Sequence, residues 1–294
     1  MRRIVFFAVM MCGLASGVIS PVAAQADEIS TAQDGKTKIN LSGRQRMLSQ
    51  RMAKAACFAA IGVKSEDHLQ EARDAHRLFG ATLHRLRHGD ANLGMRVETT
   101  PRILMELDGV EELWRAYGTY VNRAAQDSDA ADEMLSLIAA LNLPVLRQMN
   151  RAVGAFEGHY GGSGEIHPAL ALTLNVAGRQ RMLSQKAAKE FCMLLAVQDI
   201  TMHRTALTKT IALFDSSLRA LQEGNEALGL PPAPNDEIAA QLDRVDALWM
   251  PLRSVFEGMI AGDRPSAADI ERVARDNIPL LKEMNEAVSM YAAL

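Results

Sequence analysis

An arginine-containing stretch of eight residues occurs twice in this 294-residue chain. Residues 43–50 read Gly-Arg-Gln-Arg-Met-Leu-Ser-Gln, and residues 178–185 repeat them without a change. Two guanidiniums cannot be held together out of water without an anion between them, and the planar fork of a guanidinium matches a planar oxyanion. If the two copies pack as a symmetric dimer would, Arg46 and Arg181 converge. The repeated stretch then predicts an anion site between the copies.

The alternative is that each arginine pairs with a carboxylate or faces water, as most surface arginines do. On a helical wheel, however, Arg46 points away from the apolar residues that would face a core. Small or polar side chains surround it, which favours close approach by a second helix. They are Gly43, Gln50, Ala53 and Cys57 in the first copy, and Gly178, Gln185, Ala188 and Cys192 in the second.

The repetition extends well beyond these eight residues, at a constant offset of 135 and without a gap. Glycine, proline and polar breaks divide each copy into four helical segments. The predicted helices are 39–62, 66–88, 101–125 and 130–157 in the first copy, and 174–197, 201–223, 235–260 and 266–292 in the second. The sequence therefore predicts an all-α protein of two tandem up-down-up-down four-helix bundles.

The first residues are typical of a secretory signal. Arg2 and Arg3 precede an apolar run over 4–19 and a small-x-small site at 24–26. An uncleaved membrane anchor is the alternative, and both place the bulk of the chain in the periplasm. The predicted segments are a signal peptide at 1–26, a first domain at 27–157, a linker at 158–172 and a second domain at 173–294.

Composition and motifs narrow the functional classes. The formal net charge of −3 becomes −5 without the two arginines of the signal segment, so the chain lacks the basic character expected of a nucleic-acid-binding protein. The sequence has no nucleophile motif, glycine-rich phosphate loop or haem attachment motif, so it predicts no enzyme activity and no cofactor. His84 and His88 have a metal-compatible spacing, but Arg219 and Glu223 replace them in the second copy. No metal site is predicted.

Cys57 and Cys192 occupy equivalent positions in the two copies. In an oxidising compartment they can form a disulfide, provided that the copies bring these two helices face to face. They can equally be two small buried side chains that never meet. The spacing of the cysteines leaves both alternatives open.

The run over residues 39–51 resembles the opening helix of the PilJ-type periplasmic domain, which precedes type IV pilus methyl-accepting chemotaxis transducers. That domain is similar to the periplasmic domain of nitrate/nitrite sensor kinases, and the resemblance covers both copies. It implies four-helix bundles with a nitrate- or nitrite-type anion held at a dimer interface by first-helix arginines. The matching positions are Arg46 and Arg51 in the first copy, and Arg181 and Lys186 in the second.

These observations give two functional hypotheses. The first is a double sensor module that binds a small anion, nitrate or nitrite first, between its copies. Since no output module follows the second copy, it would hand its state to a membrane receptor or another envelope protein. The second is a helical adaptor of the cell envelope with no small-molecule ligand, docking through its arginine face. If Arg46 and Arg181 face each other within one chain, the sensor hypothesis gains; if they lie far apart on open surface, the adaptor hypothesis gains. A homodimer that pairs the copies between chains is also left open by the sequence.

Overall fold

The computed structural model describes residues 22–162, 164, 166–196 and 200–294. Within these residues the chain forms eight α-helices, which confirms the all-α fold. The first copy contains α1 (Val22–Ala60), α2 (Ser65–His88), α3 (Pro101–Ala124) and α4 (Ser128–Gly162). The second contains α5 (Pro168–Ala196), α6 (Ile200–Glu223), α7 (Asp236–Ala261) and α8 (Ala267–Ala292). Short 3-10 turns at Ala91–Leu93 and Glu226–Leu228 follow the second helix of each copy.

Equivalent glycine turns end the second helix of each copy. Gly89 and Gly224 have φ angles of 76° and 84°, in the left-handed region that favours glycine. A Cβ added at Gly89 would lie only 2.7 Å from the carbonyl oxygen of Met95. The chain therefore doubles back too tightly for any side chain, and these breaks could be predicted from the sequence.

Three helix ends differ from the prediction. Helix α1 begins at Val22 rather than at 39, α4 runs to Gly162 rather than to 157, and α5 begins at Pro168 rather than at 174. The glycine-rich linker predicted over 158–172 is therefore largely helical, and the connection between the copies shortens to 163–167.

Packing explains why the glycines after α4's predicted end do not break the helix. Tyr160 is buried, and its hydroxyl accepts a hydrogen bond from Lys38 Nζ of α1 at 2.8 Å. A Cβ added at Gly161 would lie 3.0 Å from the Cβ of Ala171 on α5. Here glycine permits close contact between helices, which a sequence pattern does not distinguish from flexibility.

The predicted signal peptide is only partly within the described residues. Positions 1–21 lie outside them, whereas 22–26 belong to α1. Among the helices of the described part of the chain, none combines the length and the apolar character needed to span a membrane.

The first helices of the two copies pack against each other, with α4 and α8 alongside. Apolar side chains from both copies form one continuous core around this pair. Cys57 of α1 and Cys192 of α5 form a disulfide, with an S–S distance of 2.10 Å. Because these are equivalent positions, the two helices meet in register. We call the facing stretches, residues 43–57 of α1 and 178–192 of α5, the seam.

We expect loss of the disulfide to weaken the fold. Replacing Cys57 and Cys192 together by alanine removes a cross-link between residues 135 apart. The free energy of unfolding should fall by about 2–4 kcal/mol, chiefly because the unfolded chain becomes less constrained. Urea denaturation of both proteins, with and without reductant, measures the change. Reductant should destabilise only the wild type, and identical wild-type midpoints in the two conditions would contradict the cross-link.

Candidate anion site

Arg46 and Arg181 are buried in the seam, with only 2% and 3% of their surface exposed. Each reaches into the other copy. Arg46 Nη2 donates to the backbone oxygen of Asn175 at 3.1 Å, and Arg181 Nη2 donates to that of Asn40 at 3.2 Å. Because Asn40 and Asn175 are repeat equivalents, the same contact is made in both directions. The two arginines are therefore brought together within a single chain.

Each guanidinium also contacts the fourth helix of its own copy. Nη1 of Arg46 lies 3.5 Å from Oδ1 of Asn150, and Nη1 of Arg181 lies 3.4 Å from Oδ1 of Asn285. These partners are amide oxygens and carry no charge. Among the described residues, no carboxylate forms an ion pair with either guanidinium. The seam thus orients two cations without neutralising them.

The surroundings disfavour the charge on both arginines. Their Nε atoms are buried and have no hydrogen-bond partner. Burial and the neighbouring cations Arg179 and Arg181 lower the pKa of Arg46 to about 9, although Glu157 opposes this. Burial and the nearby Arg44 lower the pKa of Arg181, also to about 9. A pKa below the ordinary value means that the charged form is destabilised here, and an anion beside the guanidiniums would relieve this.

Gly43 and Gly178 let the two guanidiniums approach the same point. A Cβ added at Gly43 would lie 3.5 Å from Nη2 of both arginines. At Gly178 the corresponding distances are 3.3 Å to Arg181 and 3.5 Å to Arg46. Because both Nη2 atoms lie within 3.5 Å of the same point at each glycine, a side chain at either position would fill space next to both guanidiniums.

Gln50 and Gln185 follow the arginines along the seam and are fully buried. Their Nε2 atoms donate to Ser49 Oγ and Asn277 Oδ1, each at 3.2 Å. Their Oε1 atoms, like the arginine Nε atoms, are buried without a partner. Buried polar atoms in native proteins are normally paired with protein, ligand or water. The unpaired Nε donors suit an oxyanion as acceptor, whereas the unpaired Oε1 acceptors call for a donor such as water.

Arg51 and Lys186, which the resemblance adds to the ligand set, do not join this pair. Arg51 Nε donates to Oε1 of Glu71 at 2.7 Å, and Lys186 Nζ donates to Oε1 of Glu190 at 3.0 Å. Both cations already have a carboxylate partner, so neither needs an added anion. Of the four implied ligands, the structure brings Arg46 and Arg181 together and places Arg51 and Lys186 in separate ion clusters.

The ion cluster of the first copy is centred on Glu71 of α2. Its carboxylate accepts a hydrogen bond from Lys54 Nζ at 2.7 Å and contacts His68 Nδ1 at 3.0 Å. Burial opposes ionisation of Glu71, but Lys54, His68 and Arg51 outweigh it and keep its pKa well below the usual range. Lys54 also donates to Oδ1 of Asn277 at 2.8 Å. The cluster therefore connects α1 and α2 to α8 of the second copy.

The second copy builds the same cluster around Glu190, which lies on α5. Glu190 is 2.7 Å from Lys189 Nζ and 2.6 Å from His203 Nδ1. Burial lowers the pKa of Lys189 to about 8, although the Glu190 carboxylate opposes this shift. Lys189 donates in turn to Oδ1 of Asn142 on α4, at 3.0 Å. The cross-copy contact is thus made in both directions.

The carboxylates of the two clusters come from different positions of the repeat. Glu71 of α2 has Ala206 as its equivalent, whereas Glu190 of α5 has Ala55 as its equivalent. Each copy therefore holds one carboxylate and one alanine, in opposite places, around the same lysine and histidine. The exchange is visible when the two copies are aligned at their constant offset, but the clusters were not predicted from it.

His84 and His88 do not change the metal prediction. Their rings pack with centroids 4.4 Å apart. In the described part of the chain, histidine, cysteine and acidic side chains nowhere gather in a group of three that could hold a metal ion.

Comparison with known proteins identifies both copies. Residues 29–139 and 169–272 match the profile of the PilJ family, described as type IV pili methyl-accepting chemotaxis transducer N-terminal domains. The chain is also similar to the methyl-accepting chemotaxis protein McpN of Pseudomonas aeruginosa, with 35% identity over 122 residues. This alignment covers 41% of the present chain and 22% of that protein. The similarity is therefore to one part of a longer relative.

We expect a carboxylate at either of the two exchanged positions to stabilise the cluster to a similar extent. Glu190→Ala leaves buried Lys189 without its counter-ion and should lower the free energy of unfolding by about 3–5 kcal/mol. Adding Ala206→Glu places a carboxylate where Glu71 stands in the first copy and should restore most of the loss. Urea denaturation measures both effects, with Asp132→Ala on exposed α4 surface as the control. A double variant no more stable than Glu190→Ala would refute the exchange.

Proposed function

The chain belongs to the PilJ family, and from this premise we propose that it is a sensor module that binds a small oxyanion at the seam. It passes its ligand state to a signalling partner, as the name of the similar chemotaxis protein suggests. We place this function in the periplasm, in keeping with the apolar N-terminal run and the resemblance of residues 39–51. Nitrate and nitrite are the first candidate ligands.

The observation that carries the proposal is the facing pair of buried arginines without a carboxylate partner. Two buried like charges cost free energy unless an opposite charge compensates them. Nitrate and nitrite are small and planar, and their oxygens can accept hydrogen bonds from both guanidiniums. A single anion at this position would attract both guanidiniums at once and so offset their mutual repulsion, and the family resemblance supports the same ligand class.

The adaptor hypothesis is less well supported. It needs the arginine face at the surface, where a receptor or another envelope protein could dock. Arg46 and Arg181 are instead covered by the packing of α1 against α5. A macromolecular partner would therefore bind another surface, whose conformation depends on the ligand, rather than these arginines.

The fourth helices offer a route from the seam to such a surface. Asn142 and Asn277 accept hydrogen bonds from Lys189 and Lys54 of the opposite copy. Each asparagine lies two residues before a proline within α4 or α8. Proline removes one backbone hydrogen bond and makes a helix easier to bend there. A shift of α1 against α5 on anion binding would thus move both fourth helices.

Titration with sodium nitrate and sodium nitrite in low-salt buffer tests the proposal. We expect both to release or absorb heat and to raise Tm, because a ligand that binds only the folded protein stabilises it. Arg46→Met combined with Arg181→Met should abolish binding while leaving cooperative unfolding. Calorimetry and thermal unfolding are the measurements. No heat and no change in Tm at millimolar concentrations of either salt would overturn the proposal.

Arg51→Met and Lys186→Met are the matched controls for the same titration. The resemblance counts both residues as ligands, whereas the structure pairs them with Glu71 and Glu190. We expect each to alter the anion affinity by no more than about threefold, a size typical of a screened charge outside the binding contacts. A loss as complete as that of the arginine variant would extend the site to these two residues.

Filling the space between the guanidiniums should also block the anion. We expect Gly43→Ala with Gly178→Ala to preserve the fold, since an added Cβ finds contacts of 3.3–3.5 Å to flexible side-chain ends. Alanine also favours a helix over glycine by roughly 1 kcal/mol at each position. The nitrate affinity should nevertheless fall, because two methyl groups occupy the point where the charges meet.

Gly154→Ala is the control for the glycine variant, because nothing lies within 4 Å of an added Cβ there. It should leave the nitrate affinity unchanged. Calorimetric titration of both variants separates the effect of filled space from the general effect of alanine in a helix. Equal affinities of the double variant and the wild type would place the anion elsewhere.

A further inference from the structure

A carboxylate beside the arginine pair has no equivalent in the other copy. Glu157 lies near the end of α4, and its Oε2 accepts a hydrogen bond from the side-chain nitrogen of Asn175. The backbone oxygen of the same Asn175 accepts the hydrogen bond of Arg46 Nη2. The equivalent position in the second copy is Ala292, so Arg181 has no corresponding carboxylate. One side of the candidate anion site therefore carries a negative charge that the other side lacks.

Glu157 is close to Arg46 without neutralising it. It forms no ion pair with the residues that the structure describes. Burial raises its pKa, against the hydrogen bond from Asn175 and the attraction of Arg46 and Arg179. Glu157 in turn acts to raise the pKa of Arg46, against the larger lowering caused by burial. The carboxylate is thus held at a fixed place beside the site, where its charge acts over a short distance but makes no direct contact.

The charge of Glu157 disfavours one kind of ligand. Arg46 and Arg181, with the neighbouring Arg44 and Arg179, attract any anion, and Glu157 opposes them. A dianion is repelled by Glu157 twice as strongly as a monoanion at the same position. The carboxylate therefore lowers the affinity for a dianion by more than it lowers the affinity for a monoanion.

We infer that Glu157 is a specificity-determining residue that shifts the preference of the site away from dianions such as sulfate and towards monoanions such as nitrate and nitrite. This inference rests on the proposed anion-binding function and adds the charge class of the ligand to it. Glu157 acts through Asn175 and through its own charge rather than by touching the ligand. Its absence from the second copy means that one carboxylate serves the whole site.

Glu157→Gln is the decisive variant, because glutamine keeps an acceptor for Asn175 and removes only the charge. Calorimetric titration with sodium nitrate and sodium sulfate at constant ionic strength measures both affinities. We expect the sulfate affinity to rise about tenfold more than the nitrate affinity, from the extra unit of charge at short range. Glu157→Asp keeps the charge and should therefore keep the wild-type preference between the two anions. If the side chain had only a structural role, the shorter aspartate would not be expected to preserve that preference.

Ala292→Glu provides the opposite change. It adds a carboxylate at the equivalent position, so the nitrate affinity should fall and the sulfate affinity should fall further. If nitrate binds but Glu157→Gln changes both affinities by the same factor, the inference is overturned and the anion site stands. If neither anion binds to the wild type or to any variant, the proposed function falls together with the inference.

Discussion

Two guanidiniums held side by side out of water are the constraint on which the seam depends. Like charges in a medium of low polarity repel strongly, so their approach has to be enforced by everything around them. The pairing of α1 with α5 supplies that force through a shared core, and the disulfide fixes the register. Glycines provide the space, and amide oxygens orient the cations without neutralising them. The arrangement leaves two buried positive charges without a counter-ion, which the proposed anion would supply.

Much of this could be predicted from the sequence, because the signals were local and repeated. Helix breaks at glycine and proline follow from backbone sterics, and the identical arginine face in both copies indicated that the first helices meet. The predicted end of α4 and start of α5 were wrong, because Gly161 permits close contact with α5 and the buried Tyr160 holds the last turns of α4 in place. Pairing of Cys57 with Cys192 needed the relative placement of the helices, which no spacing reveals.

The partners of Arg51 and Lys186 could not be predicted for a different reason. A motif matches positions but does not show which carboxylates the fold brings to them, and Glu71 belongs to a different helix from Arg51. Lys186 meets Glu190 on its own helix, at a position that is alanine in the first copy. The two buried lysines nearby then link each cluster to the opposite copy. The interface between the copies therefore has paired charges in these two clusters, whereas Arg46 and Arg181 between them have no carboxylate partner among the described residues.

The exchanged carboxylates also bear on how the two copies persist in one gene. Recombination between the two copies would produce a single hybrid module. A hybrid that joins α1 of the first copy to α6 of the second would combine Ala55 with Ala206 and leave its buried lysine without a carboxylate. The reciprocal hybrid would combine Glu190 with Glu71 and crowd two carboxylates around one lysine. Either product would bury an unbalanced charge, which costs folding free energy, so the exchange makes the two halves poor substitutes for each other.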